Sequence, residues 1–430
     1  MVMPTIVLCF FRSVLFRGRR LAEAPAMGDW RGCLMGCLLM AGAAPMLHAA
    51  TFDEDVAFLR KHLEIIVLSD DTSQGRVAVA PTYQGRVLTS TPGGPSGVSC
   101  GWLNRDLISS GKLQPHMNAF GGEDRLWLGP EGGQFSIFFR KDDPFDLAHW
   151  QTPAAIDSVA YDVTSKNTRR VAFRHTAKLT NYSGRVFECE IVRSIDLMAV
   201  AEVPRHLGVR PANGVRQVAY TSDNRLFNRG REPWSKEAGL LSIWILGMFN
   251  PSPDTTIVVP YRAGAESELG PVVNDTYFGK VPSDRLVVRE GVIYFKGDGR
   301  FRSKIGLNPR RAKPVLGSYD AKQQLLTIVQ FNQPAGVTDY VNSMWEIQKE
   351  PFRGDAVNSY NDGPPPSGDK QLGPFYELET SSPAAALKPD AQIRHVSRTF
   401  HFQGNEAELD AIARHTLGAS LAQIRSALAK

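Results

Sequence analysis

The sequence predicts a mostly β protein, a sandwich with one helix at its start and short helices at its end. From about Arg76 to Phe402, short runs of β-branched and aromatic residues are punctuated by Gly, Pro, Asn and Asp. Several of these runs read as hairpins. Helical spacing of apolar residues occurs only just after residue 50 and again after Phe402.

In chain order, Thr51-Phe52-Asp53-Glu54 is a capping-box pattern, followed by Phe52, Val56, Leu59 and Leu63 on one helical face. Val171 to Leu179 alternates, turns at Ser183-Gly184 and returns from Val186 to Leu197. Further hairpins pair Arg285–Arg289 with Val292–Lys296, and Val315–Tyr319 with Leu325–Phe331. Leu241 to Phe249 is almost continuously apolar, as in a central strand covered on both faces. After Phe402, Asn405 caps a helix carrying Leu409, Ile412 and Leu417; Gly418 interrupts, and Ser420 restarts a turn carrying Leu421, Ile424 and Leu428. These helices are expected to cover an edge or end of the sheets. Pro364-Pro365-Pro366-Ser367-Gly368 reads as a surface loop within one domain, residues 50–430, because strand signals resume at Phe375.

Residues 1–49 read as a secretory signal peptide: Arg31, an apolar stretch from Cys33 to Leu47, and small residues around a cleavage point near Ala49 or Ala50. The stretch is short for a membrane span, so cleavage into the periplasm or the medium is expected, with no stable membrane span. Residues 1–26 are surplus to this pattern, and Met27 is the preferred start. Leu34-Met35-Gly36-Cys37 offers a weak lipoprotein alternative. Cys9, Cys33 and Cys37 leave with the leader; Cys100 and Cys189 remain, and the alternation around Cys189 reads as a buried thiol in a strand. The chain of 430 residues has a net charge of +5, and losing five Arg against Glu23 and Asp29 brings the mature part to about +2. No basic stripe, zinc-ligand spacing, phosphate-binding glycine loop or solenoid period is present, so nucleic acid is not an expected partner.

Two segments are candidates for a site. If Arg125 to Glu131 is a strand, Arg125, Trp127 and Glu131 share one face, opposite Leu126 and Leu128. A ring beside charged groups suits a sugar, whose C–H faces pack on aromatics while its hydroxyls hydrogen-bond; a solvated strand face with an Arg–Glu pair reads equally well. In Phe375–Glu379, Glu377 and Glu379 project together with Phe375, their Cα atoms roughly 6.5–7 Å apart. Such a pair raises one carboxyl pKa in a desolvated site and is merely solvated on an open face.

The segments Leu378-Glu379-Thr380-Ser381-Ser382-Pro383, Leu387-Lys388-Pro389-Asp390 and Arg394 to Phe402 resemble the C-terminal signature of aldose 1-epimerases. Gly121-Gly122 ahead of Leu126 to Glu131 is similar to that family's Gly-Gly strand. From Gly121 to Phe402 the chain most resembles a bacterial exported family of unknown function in the galactose mutarotase-like group, through Gly122–Gly133, Ser242–Phe249 and Ser359-Tyr360-Asn361-Asp362-Gly363. The resemblance implies a galactose mutarotase-like β-supersandwich with a concave carbohydrate site, and places Glu379 where epimerases keep their base. The epimerase segment His-Pro-Tyr-Phe-Asn-Leu is absent, leaving the acid without an assignment.

His175 is the candidate acid, with His395 and His401 sharing a face further on; a histidine so placed is more often structural than catalytic. His116 precedes the Gly-rich segment and is expected to reach the same cleft. Tyr360, Asn361 and Asp362 form a loop suited to hydroxyl binding, or an ordinary turn. No cofactor is expected: oxygen-rich loops such as Asn274-Asp275 suit Ca²⁺, but no EF-hand spacing supports it. The sequence thus points to a saccharide as the partner, with proton transfer at a sugar or uronate carbon (a mutarotase-like isomerase or lyase), a non-catalytic binding module or an envelope scaffold as the competing outcomes. The sugar readings require Trp127 and Glu379 to meet in one sheltered hollow.

Overall fold

The computed structural model describes residues 50–430 except Thr72, Glu290, residues 366–370 and Lys430. The leader, its lipoprotein alternative and most of the proline-rich loop lie outside the described residues.

Among the described residues, three antiparallel sheets form. The largest has ten strands in the order Leu286–Arg289, Val292–Lys296, Thr255–Pro260, Val315–Asp320, Leu325–Phe331, Gln392–Gln403, Arg216–Asn228, Val186–Leu197, Arg170–Thr180 and Asp162–Lys166. The three hairpins expected from alternation are present, with Phe173 opposite Arg193, Val288 opposite Ile293 and Leu316 opposite Val329. A five-stranded sheet runs Ser303–Leu307, Val357–Asn361, Tyr376–Ser381, Ser242–Phe249 and Arg125–Gly129. A three-stranded sheet, Ile66–Ser69, Arg76–Ala80 and Arg86–Thr91, completes the set.

Period two divides the five-stranded sheet into an inner and an outer face. Inward, Leu126, Leu128, Ile243 and Ile245 join Phe173, Ile191 and Leu226 of the large sheet in one apolar core. Further along, Ile305, Leu307, Val357 and Leu378 meet Ile257, Ile293, Leu316 and Val329 in a second. The apolar strand Ser242–Phe249 is buried throughout, between the Tyr376 and Arg125 strands, as its composition requires.

The N-terminal helix, Phe52–Leu59, starts where the capping box places it: Glu54 N–H donates to Thr51 Oγ1 and the Thr51 N–H donates to Glu54 Oε2. It ends before Leu63. The C-terminal helices Glu406–Leu417 and Leu421–Ser426 cover a face of the large sheet, rather than an edge, because Leu409, Ile412, Leu417 and Ile424 bury themselves among Val258, Tyr319, Ile328 and Phe402. Short helices also interrupt the strands, at Arg105–Ser110, Ala154–Asp157, Val203–Leu207 and Glu266–Leu269. Cys100 and Cys189 are buried free thiols. No helix among the described residues is long and apolar enough to cross a membrane.

Candidate functional site

The outer face of the five-stranded sheet carries the charge. In register, Trp127 pairs with Trp244, Arg125 with Leu246, Leu246 with Glu379, Met248 with Glu377, Glu379 with Asn358, Glu377 with Tyr360, and Tyr360 with Lys304. Strand alternation therefore collects Arg125, Trp127, Trp244, Glu377, Glu379, Tyr360 and Lys304 on one surface. Gly121 and Gly122 let the chain enter the Arg125 strand: both have positive φ, and a Cβ on Gly121 would lie 2.0 Å from the Trp102 carbonyl oxygen.

Connecting segments roof this surface. Trp127 packs at 5.2 Å from Phe138 and 5.6 Å from Trp244, and Trp150 lies 5.7 Å from Trp345, all between ring centroids. Two adjoining cavities remain, of about 350 and 140 Å³. Glu131, Trp244, Lys304, Arg302, Phe278 and Trp345 line both. Phe278 is 43% exposed at the rim, with the Arg302 guanidinium 4.2 Å from its ring centroid.

Arg125 and Glu377 form a buried ion pair at 2.9 Å, and the Arg125 guanidinium lies 4.2 Å from the Trp127 ring centroid. Lys304 Nζ reaches Glu379 Oε2 at 3.0 Å and lies 4.7 Å from the Trp244 ring. Burial opposes the Lys304 charge, but Glu379, Glu131 and Glu377 outweigh it and raise its pKa. Burial pushes Glu131 up to about 7, with Lys304 pulling the other way and Glu379 reinforcing. Burial likewise raises Glu377, against the attraction of Arg125. Asp355 is pushed up to about 6 by burial, against hydrogen bonds from Tyr277 and Asn274.

Of the residues singled out in the sequence, Arg125, Trp127, Glu131, Tyr360, Asp362 and Glu377 line these cavities. Asp362 is occupied in holding others: it accepts from Tyr360 OH at 2.6 Å and from the Gly373 N–H at 2.8 Å. Glu379 shares the face but not the opening, so the expected meeting of Trp127 and Glu379 in one hollow is not found; Glu131, Lys304 and Arg302 are the charged groups that line both cavities. The Glu379 carboxylate, the expected base, is fully buried beneath Lys304 and Trp244, both of which donate to Oε2, and it lines neither cavity. Trp127 is only 3% exposed and is chiefly a packing residue.

Three candidates lie elsewhere. Asn361 follows Tyr360, so period two turns it to the opposite face, where it accepts from the Gly299 N–H and donates to the Phe301 carbonyl. His175 sits on the Arg170–Thr180 strand of the other sheet, stacked on Tyr161 at 4.8 Å. His116 lies behind the wall, its Nδ1 2.7 Å from the Trp150 carbonyl oxygen. His395 and His401 are core residues: His395 pairs with Thr380, and His401 bridges Glu123 and Thr327. Cys100, Glu123 and His401 bring potential ligand atoms within 4.8 Å of one another, but Ser90, Tyr220 and His401 already occupy the Glu123 oxygens. No histidine among the described residues lines either cavity.

Sequence reasoning missed Lys304, Tyr277, Asp355, Arg302 and Phe278. The alternation Ser303-Lys304-Ile305-Gly306-Leu307 sets a lone Lys against an apolar face and was the available signal. Tyr277 and Asp355 come from loops without periodicity; Tyr277 OH donates to Asp355 Oδ2 and accepts from Asn358 Nδ2.

The fold and site define a β-sandwich protein with an aromatic-walled, charged cleft over one sheet face. Residues 50–428 match a family described as a family of unknown function (DUF6786), and the chain belongs to that family. No curated protein matches the sequence. The chain is similar to a protein of Escherichia coli K12 provisionally described as an aldose 1-epimerase, with 12% identity over 80% of this chain and 100% of that one, at a TM-score of 0.48. It is similar also to a galactose mutarotase-like protein from Lactobacillus casei (10% identity, 79% and 100% covered, TM-score 0.43). A galactose mutarotase related enzyme from Lactobacillus acidophilus compares at 9% identity, with 79% and 98% covered and a TM-score of 0.43.

Proposed function

We propose that this chain is an exported saccharide-binding protein whose cleft transfers a proton at a carbon of the bound sugar. One observation carries the reading: buried ionic groups and aromatic rings alternate on one sheet face beneath a cavity of about 350 Å³. Rings take the C–H faces of a sugar, and charged groups order its hydroxyls. Glu131, titrating near neutrality and half-buried at the opening, is the proton carrier; Lys304 stabilises negative charge developing nearby. Glu379 is a positioning residue that holds Lys304 and Trp244.

Calorimetry against a saccharide panel, followed by polarimetry and lyase assays on the sugars that bind, tests this. Turnover is expected to fall about 10²–10⁴-fold in Glu131→Gln, with binding retained. Unchanged turnover removes Glu131 from the chemistry, and no saccharide binding by the wild type leaves the envelope-scaffold reading. A second reading, a binding module without chemistry, is favoured by the covered Glu379 and by a cleft without histidine; binding with no turnover in the wild type selects it. Export is checked by N-terminal sequencing of the secreted or periplasmic chain, expected to begin at Ala50 or Thr51.

A further inference from the structure

We infer that the cleft takes a neutral oligosaccharide rather than a single sugar, with successive rings lying on either side of the Tyr277–Asp355 pair. This rests on the saccharide reading above and specifies its ligand.

A third cavity, of about 790 Å³, adjoins the first and shares Tyr277, Met344 and Asp355 with it. One connecting segment walls both: Val341, Ser343 and Trp345 face the first cavity, while Thr338, Asn342 and Phe352 face the third. At the junction, Asn358 Nδ2 donates to Tyr277 OH at 3.1 Å and Tyr277 OH donates to Asp355 Oδ2. Anchored to the sheet through Asn358, this pair stands where the two spaces meet, lining both.

The two spaces differ in chemistry. The first has tryptophans and nearly buried charge, suited to gripping one ring. The third presents amides and charged groups on loops, among them Asn274, Asn342, Glu268 and Arg310. Such groups hydrogen-bond hydroxyls of a ring that stays hydrated, at small cost per contact. A single sugar in the first cavity would leave the third empty, whereas a glycosidic chain passing Tyr277 fills it. Asp275 and Asp339 are paired with Lys280 and Lys236, and Arg353 with Glu350, which leaves Glu266, Glu268 and Asp355 against Arg310 at the third cavity. That balance repels a polyuronate and selects an uncharged chain.

Titration calorimetry with manno-, xylo-, cello- and galacto-oligosaccharide ladders of one to six units tests the inference. In the series that binds, affinity is expected to rise at least tenfold from the monosaccharide to the tetrasaccharide. Thr338→Trp and Ser267→Trp, at exposed positions that line the third cavity and not the first, are each expected to abolish that gain while leaving monosaccharide affinity within twofold. Equal affinity at every length, or a length gain retained in both variants, overturns the oligosaccharide inference alone. Failure of the wild type to bind any ladder member overturns the saccharide reading itself.

Discussion

Lys304 Nζ lies 3.0 Å from Glu379 Oε2, and the Trp244 indole N–H donates to the same oxygen at 3.0 Å. The other carboxylate oxygen, Oε1, is buried with no hydrogen-bond partner among the described residues. One carboxylate thus holds both the cation and an aromatic wall of the cleft.

Removing that carboxylate strands a nearly buried ammonium. Glu379→Gln is expected to cost about 3–5 kcal/mol of stability in chemical denaturation. Lys304→Met in the same background should recover much of the loss, so the double-mutant cycle shows strong coupling. A Glu379→Gln loss below about 0.5 kcal/mol would contradict the structural role assigned to the pair.

Glu131 makes stability depend on pH in a defined direction. Its pKa rises from 4.5 to about 7 in the folded protein, through burial first. Between those values the native state holds a proton that the unfolded chain has released, so the contribution present below pH 4.5 is lost as pH climbs through 7. Glu131→Gln should therefore gain stability relative to the wild type across that window and be constant outside it. Urea midpoints at pH 4, 6 and 8 measure this; parallel curves refute it.

The aromatic residues of the cleft divide into packing and contact groups. Trp127→Ala should destabilise by about 3–5 kcal/mol, because its ring fills space among Phe138, Trp150 and Trp244. Phe278→Ala, at an exposed rim, should stay within about 0.5 kcal/mol of the wild type. Saccharide affinity in that variant should fall about 2–10-fold, for a ring contact worth about 0.5–1.5 kcal/mol. Calorimetry of both variants separates the two roles, and an unaltered affinity in Phe278→Ala would exclude that ring from the contact.

At the start of the fold, Thr51→Ala removes the acceptor of the Glu54 N–H and the capping-box geometry. A loss of about 1 kcal/mol is expected in urea denaturation, with Thr51→Ser close to the wild type. Equal losses in both variants would assign the effect to packing of the Thr51 methyl group.

By itself, the sequence determined what depends on local period. Alternation marked the hairpin arms from Val171 to Leu197 and put Arg125 with Trp127, and Glu377 with Glu379, on common faces, since neighbouring residues of a strand must point to opposite sides. The cap at Thr51 and the continuously apolar Ser242–Phe249 strand were legible for the same reason. The sequence reads Tyr360 and Asn361 as one binding loop, whereas alternation within the Val357–Asn361 strand sends them to opposite faces.

Tertiary structure alone decided which groups on the charged face remain open. Strand pairing brings Lys304 and Trp244 over Glu379, residues distant in sequence whose long side chains fill the space above it and remove it from the opening. The same folding leaves Glu131 half-buried at the opening and seats Tyr277 beside Asp355 from loops that carry no periodic signal. Access to a side chain is a property of everything packed around it, and most of those neighbours here are contributed by other parts of the chain.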